Sequence, residues 1–320
     1  MNDKLIDVVI PTHIKDIDIL NLCIEYVKKN VQDLNEVYVI SKDKYTDNAK
    51  WIPHTELPFS LGDIGNLIGK HWRTGWYYGL TIQITAGLYI PYLKDNILIL
   101  DTDTILLTPT KFLENGKALY NVSYDTTDPR NPYYEHMWKL IPGLTKQNEY
   151  SGIVMHQLMQ RDILKEMSNL VEDIHKKPFW KAFVDVTNEP YEGMQGQDQR
   201  HEFCTGKLTA YELYFNYMLK YYPDRINIVK KNSILAYKGY LGVDGYLDHN
   251  YPSRTNLNGE IRIIPREEEL KFKFNNIKES MEFISKKCKE LGYDAVTFQN
   301  HTRDGMEKHK KLASLELNVE

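Results

Sequence analysis

The stretch Asn96-Ile97-Leu98-Ile99-Leu100-Asp101-Thr102-Asp103-Thr104-Ile105-Leu106-Leu107 decides how this chain is read. An unbroken apolar run ends in two aspartates, and the apolar character then resumes. Such a run predicts a strand buried on both faces, as in a parallel sheet. Side chains two residues apart on extended backbone point to the same side, so Asp101 and Asp103 are set next to each other. Two like charges at close range repel, and burial raises the cost. A divalent cation removes that penalty. Mg2+ and Mn2+ take oxygen ligands, commonly one or two carboxylates together with substrate phosphates. The carboxyl end of a sheet strand is also where α/β proteins bind ligands. The spacing therefore predicts a cation site, with Asp103 as the direct ligand and Asp101 as its partner. A turn of two aspartates without a metal is the alternative, and the flanking apolar runs oppose it.

Upstream, Asp7-Val8-Val9-Ile10 is a short apolar run stopped by Pro11, and it reads as a first buried strand. Asp16 is an N-cap candidate for a helix in which Ile17, Leu20, Ile24 and Val27 fall at helical spacing. Val37-Tyr38-Val39-Ile40 is a second strand. Strand, helix, strand predicts an α/β fold with a central, mostly parallel sheet flanked by helices. Residues 44–75, with Pro53, Pro58 and four glycines, read as loop-rich. A helix is expected from Trp76 to Leu93, with Trp76, Leu80, Ile84 and Leu88 on its inner face.

Residues 124–150, with Pro129, Pro132 and Pro142, read as a substrate loop and as the boundary between two halves. A strand is expected at Ser151 to Met155. Helices are expected around Ile163 to Ile174, at Pro178 to Val186, at Thr209 to Tyr221 and at 276–291. Short strands are expected near 226–229, 234–237, 261–264 and 295–299. The Gly/Gln-rich run 193–197 reads as a lid. This divides the chain into a donor-side half, 1–123, a second half of the same domain, 124–305, and a tail, 306–320.

The bulk composition excludes more than it identifies. A chain of 320 residues is long enough for one large α/β domain or two ordinary ones. A net charge of −4 offers no field for nucleic acid or an anionic membrane. Cys23, Cys204 and Cys288 are odd in number and widely spaced, which predicts thiols in a reducing compartment. The N-terminus has no basic segment leading into an apolar run, and no apolar stretch reaches a membrane span. The expectation is a soluble cytoplasmic protein, in the host cytoplasm if the source is a virus. Twenty-three tyrosines suit a sugar-like ligand, each offering an apolar face and a hydroxyl, although codon bias explains them as well.

The segment Ile97 to Leu106 resembles the DxD strand of the GT-A type nucleotide-diphospho-sugar glycosyltransferases, and it lies about where that family carries it. Val8-Val9-Ile10-Pro11-Thr12 is similar to the family's first strand, whose end contacts the nucleotide. Asp43 follows the second strand, where such enzymes hold base or ribose. Arg73-Thr74-Gly75-Trp76-Tyr77, Pro178-Phe179-Trp180 and Tyr211-Glu212-Leu213-Tyr214 resemble, more narrowly, a GT-A group of bacteria and large DNA viruses. Tyr78-Gly79-Leu80 departs from that group's polar pattern.

The resemblance implies a hexosyl- or pentosyltransferase. It would use a nucleoside-diphosphate donor, UDP being favoured, with a glycan or other hydroxyl compound as acceptor and Mn2+ or Mg2+ as cofactor. It implies a donor site from Pro11, Thr12, His13, Asp43, Arg73, Asp101 and Thr102. It also implies a metal site from Asp103 and Asp101, with His301 as the late histidine.

An inverting transferase needs a carboxylate to deprotonate the acceptor. Glu212 is the expected base and Asp198 the second candidate. Thr209-Ala210-Tyr211-Glu212 is also a capping box, in which Glu212 would simply bond back to the helix start. His156 and Trp180 are acceptor-side candidates, with core packing as the alternative for both. Two other functions remain. A haloacid-dehalogenase-type phosphatase also carries Asp-x-Asp-x-Thr, with Asp101 as nucleophile. It normally places the motif on its first strand, whereas here strand, helix and strand come first. A non-catalytic sugar- or nucleotide-binding protein on the same fold is the other.

Overall fold

The computed structural model describes residues 4–69, 73–123, 131–188, 208–229, 231, 233–237, 277–290 and 292–299. Its centre is a five-stranded sheet in the order β3-β2-β1-β4-β8. Strand β1 (Ile6–Pro11) lies between β2 (Leu34–Ser41) and β4 (Asn96–Leu100), and it is parallel to both. Strand β3 (Lys50–Pro53) extends one edge in parallel, and β8 (His156–Gln160) closes the other edge antiparallel to β4. Each residue of β4 is buried, which is why its sequence is an unbroken run and not an alternation. Strand β8 belongs to the segment 124–305, so both expected halves contribute to the central sheet.

Two smaller sheets lean on this one. Strand β5 (Thr104–Leu106) leaves the Asp101–Asp103 turn and pairs antiparallel with β11 (Ala295–Gln299), which in turn pairs parallel with β10 (Ser233–Tyr237). Strands β6 (Leu113–Glu114), β7 (Lys117–Asn121) and β9 (Ile226–Val229) form the third.

Helix α1 (Ile17–Asn30) turns its buried positions Leu20, Cys23, Ile24 and Val27 inward and contacts α8 (Ile277–Glu290). Helix α3 (Thr74–Tyr89) contacts α2 (Leu61–Ile68), α5 (Arg161–His175), α6 (Phe179–Asp185) and α7 (Ala210–Tyr221). Helix α4 (Pro132–Leu140) packs on α7.

Several sequence expectations need correction. The span 44–75 is not loop alone: it holds β3 and α2. Ser60 caps α2 by a reciprocal box, its Oγ accepting from the Asp63 amide at 3.1 Å while Asp63 Oδ2 accepts from the Ser60 amide at 2.8 Å. The expected substrate loop contains α4, started by Asn131, whose Oδ1 accepts from the Tyr133 amide, with Pro132 at the first helical position. The strand expected at Ser151 to Met155 begins only at His156.

Helix α3 does not bury one apolar stripe. Trp76 is exposed, Leu80 and Leu88 are half-buried, and Thr81 and Thr85 are buried instead. Those threonines tolerate burial because their hydroxyls donate to the carbonyls four residues back, at 2.8 and 2.6 Å. The expected lid at 193–197, the strand at 261–264 and the tail lie outside the described residues.

Candidate active site

The carboxyl ends of β1, β2, β3 and β4 lie along one edge of the sheet. β1 runs out into Thr12 and His13, β2 into Lys42 and Asp43, β3 into His54, and β4 into Asp101-Thr102-Asp103. The chain leaves β1 for its neighbour on one side, while β4 lies on the other. The crevice of an open α/β sheet therefore opens between β1 and β4. Thr102 closes that junction from below. It is buried, its Oγ1 donates to the Pro11 carbonyl at 2.9 Å, and it lies 3.1 Å from Thr12 Oγ1.

The aspartate turn is pinned on three sides. The Asp101 amide donates to the Met155 carbonyl at 3.0 Å, and the Thr104 amide donates to the Asp101 carbonyl at 3.0 Å. The Phe298 amide, on β11, donates to the Asp103 carbonyl at 2.8 Å. Met155 holds φ of +61°, a left-handed backbone that a side chain of its kind rarely adopts. Such strain is kept where the surroundings over-determine it, and binding sites are a common place for it.

The side chain of Asp101 is held as firmly as its backbone. Its Oδ1 accepts from Gln83 Nε2 at 2.6 Å and from the Tyr211 hydroxyl at 2.7 Å. Gln83 comes from α3 and Tyr211 from the first turn of α7. Burial and the neighbouring Asp103 raise the Asp101 carboxyl well above the usual carboxylate range, with Asp16 adding to the shift. The Tyr211 hydrogen bond and Lys15 oppose it. A site that disfavours its own negative charge is electrostatically ready for a cation, and two carboxylates suit a hard divalent one. Both bonds land on Oδ1. Asp103 is half-buried. No group of three or more His, Cys, Asp or Glu placed to hold a metal occurs among the described residues.

The other expected donor-side residues spread along this edge. His13 Nδ1 accepts from the Lys15 amide at 3.2 Å, and Asp43 is exposed just beyond β2. Arg73 stands at the start of α3 with its guanidinium 5.6 Å from the Trp76 ring centre. His54 was not anticipated, because β3 was not recognised. It is half-buried, meets Tyr78 edge-on at 5.0 Å, and is pushed down to about 4 by burial, with His13 and Lys42 adding to the effect.

On the acceptor side the residues separate. His156 is buried at the start of β8 with its ring edge-on to Phe112 at 5.4 Å, and it too is pushed down to about 4 by burial. Trp180 is half-buried and stacked on Phe59 at 5.3 Å, so one face of the ring is already covered. His156 is thus packed in the core, while Trp180 is covered by Phe59 on one ring face. Glu212 is fully buried on α7: Oε1 accepts from the Tyr134 hydroxyl at 2.8 Å and Oε2 from the Gly152 amide at 2.6 Å. The reciprocal capping box is not formed, since Thr209 makes no side-chain cap bond. Burial raises the Glu212 carboxyl, against the bonds from Tyr134, Gly152 and Ser151 and the charge of Lys146. Asp198 and His301 lie outside the described residues. No helix among the described residues is long and apolar enough to cross a membrane.

Neither a family model nor a curated protein matches the chain. Among solved structures it is similar to the galactosyltransferase LgtC in complex with donor and acceptor sugar analogues. That match has 12% identity and a TM-score of 0.39 over 97% of this chain and 95% of the other. An active-site mutant of LgtC aligns at 15% identity and a TM-score of 0.41 over the same shares. The apo form of mouse xyloside xylosyltransferase 1 aligns at 12% identity and a TM-score of 0.36, over 80% of this chain and 99% of the other. At such scores the likeness carries no weight for the reaction, which rests on the geometry of the site.

Proposed function

We propose that this protein is a glycosyltransferase of GT-A type. It would move a sugar from a nucleoside-diphosphate donor, UDP being favoured, to a hydroxyl of a glycan or other acceptor. The observation that carries the reading is the place of the acid pair. Asp101 and Asp103 sit at the carboxyl end of β4, at the switch point beside β1, where a parallel sheet receives a nucleotide. A divalent cation bound there supplies Lewis-acid stabilisation of the charge that develops on the departing diphosphate. Asp103 is the residue of this chain assigned to hold it, with Asp101 beside it and His301 as the candidate third ligand.

Thr12, His13 and Asp43 border the groove for the nucleoside, and Arg73 is the candidate for the diphosphate oxygens. Glu212 is the proposed base for an inverting transfer. A raised carboxyl pKa suits proton abstraction near neutral pH. To act, Glu212 has to exchange one of its bonds, from Tyr134, Ser151 or the Gly152 amide, for one from the acceptor hydroxyl.

The test is calorimetric titration of the full chain with UDP, GDP and TDP, with and without Mn2+. The expected result is metal-dependent binding of one nucleoside diphosphate, lost in Asp103→Ala. Absence of metal-dependent binding to all three, or the same affinity in Asp103→Ala, overturns the reading.

A further inference from the structure

Among the described residues the side-chain oxygen of Gln83 has no hydrogen-bond partner; it is a buried acceptor, and it belongs to the residue that grips Asp101. Gln83 is 8% exposed. Its amide cannot be turned over to relieve this. The nitrogen is committed to the Asp101 carboxylate at 2.6 Å, and the reverse placement would set two acceptors against each other. Tyr211 reinforces the choice, because its hydroxyl donates to the same Oδ1 and fixes the carboxylate that the amide must face. Buried polar atoms in native proteins are matched, so an unmatched one beside a pair of carboxylates calls for a donor that is brought in. Gln157 and Gln160 also carry unmatched oxygens, but their amide nitrogens serve the Tyr211 carbonyl and the Asn96 side chain. Gln83 alone of the three bonds to the acid pair.

We infer that Gln83 is a specificity-determining residue whose Oε1 accepts from a hydroxyl of the transferred sugar, beside Asp101. The inference rests on the proposed glycosyltransferase reading. A hydroxyl is the suitable group, since it donates one hydrogen to the amide oxygen and keeps lone pairs for other neighbours. A site built around a waiting acceptor discriminates strongly against a ligand lacking the matching donor.

The test compares UDP with UDP-glucose and UDP-galactose, titrated with Mn2+ into the wild type and into Gln83→Met. The quantity read is the affinity ratio of sugar nucleotide to UDP, in which any effect on the metal cancels. The expected result is a ratio about tenfold lower in Gln83→Met for the preferred sugar, equal to about 1.4 kcal/mol. Deoxy-sugar analogues give a second measurement that does not need the variant to fold. One of them should lose about the same factor against the wild type, and that loss should vanish in Gln83→Met. An unchanged ratio in Gln83→Met, no penalty for any deoxy position, or no gain from either sugar over UDP overturns the inference and leaves an enclosed water as the partner of Oε1. Failure of the wild type to bind any of UDP, GDP and TDP with Mn2+ is instead the failure of the underlying function, and if GDP or TDP is the one that binds, the same comparison is made with its glucose and galactose nucleotides.

Discussion

Glu212 is the residue whose replacement separates chemistry from packing. In Glu212→Gln the amide oxygen still accepts from the Gly152 amide, while the Tyr134 hydroxyl has to turn from donor to acceptor opposite the new NH2. A carboxyl raised in the folded state contributes stability that is complete below its ordinary pKa and lost as pH rises through the folded value. The expected outcome is a variant at least as stable at pH 7, with a flatter melting temperature above pH 4.5 and kcat reduced about 100-fold or more. Thermal melts from pH 4 to 8 alongside turnover check this, and retained turnover removes Glu212 as the base. Gly152 admits no substitute. A Cβ there would lie 2.5 Å from Phe215 Cβ and 2.7 Å from its Cγ, so Gly152→Ala is expected to cost about 2–3 kcal/mol in urea denaturation. The acid pair was legible from local sequence, since a buried run ending in Asp-x-Asp has few physical explanations. Its surroundings were not. Gln83 and Tyr211 reach Asp101 from 18 and 110 residues away, and nothing local marks either as its partner.

Among the elements, the end of α3 depends on one cation. The guanidinium of Arg161, at the start of α5, donates to the carbonyls of Gly87 at 2.6 Å, Ile90 at 3.2 Å and Leu93 at 2.6 Å. Carbonyls at a helix C-terminus lack partners within the helix, and a positive charge there also complements the helix dipole. Arg161→Leu is expected to cost about 3 kcal/mol, since it strands several buried acceptors, and Arg161→Lys to recover part of that. Chemical denaturation of the two variants against the wild type measures both. Helices α1, α5 and α7 were readable because each carries apolar residues at helical spacing between recognisable ends. Strand β8 was misplaced for a physical reason. Its sequence, His-Gln-Leu-Met-Gln, looks half polar, yet all five residues are buried. Gln157 donates to the Tyr211 carbonyl and Gln160 to the Asn96 side chain, bonds that no periodicity reveals. Helices α2 and α4 have ordinary caps that sit among prolines and glycines, where the breakers dominated the reading.

At the scale of the whole molecule, three histidines among the described residues combine burial with a lowered pKa and shape the response to acid. His54, His136 and His156 are each pushed down to about 4, chiefly by burial. A base with a depressed folded pKa contributes stability that is complete above its unfolded value, near 6.5, and lost as pH falls toward 4. Each contributes up to roughly 1.4 kcal/mol per pH unit inside that window. Asp101 and Glu212, raised by burial, work in the opposite direction and offset part of it. The melting temperature is expected to fall between pH 7 and 5, while three imidazole resonances stay in the neutral form by NMR. Protonation of those three in the folded protein near pH 6 would contradict this. The α/β class was evident from the strand-helix-strand opening, but the three-sheet construction was not, because β5 and β11 meet only through pairing across most of the chain. That pairing has an evolutionary corollary. The Asp101–Asp103 turn is the joint where the chain passes from one sheet to another, fastened to β1, to the residue before β8 and to β11. Shifting either carboxylate would mean re-laying strands, so adaptation to new ligands falls to the residues lining the crevice, while the acid floor stays fixed.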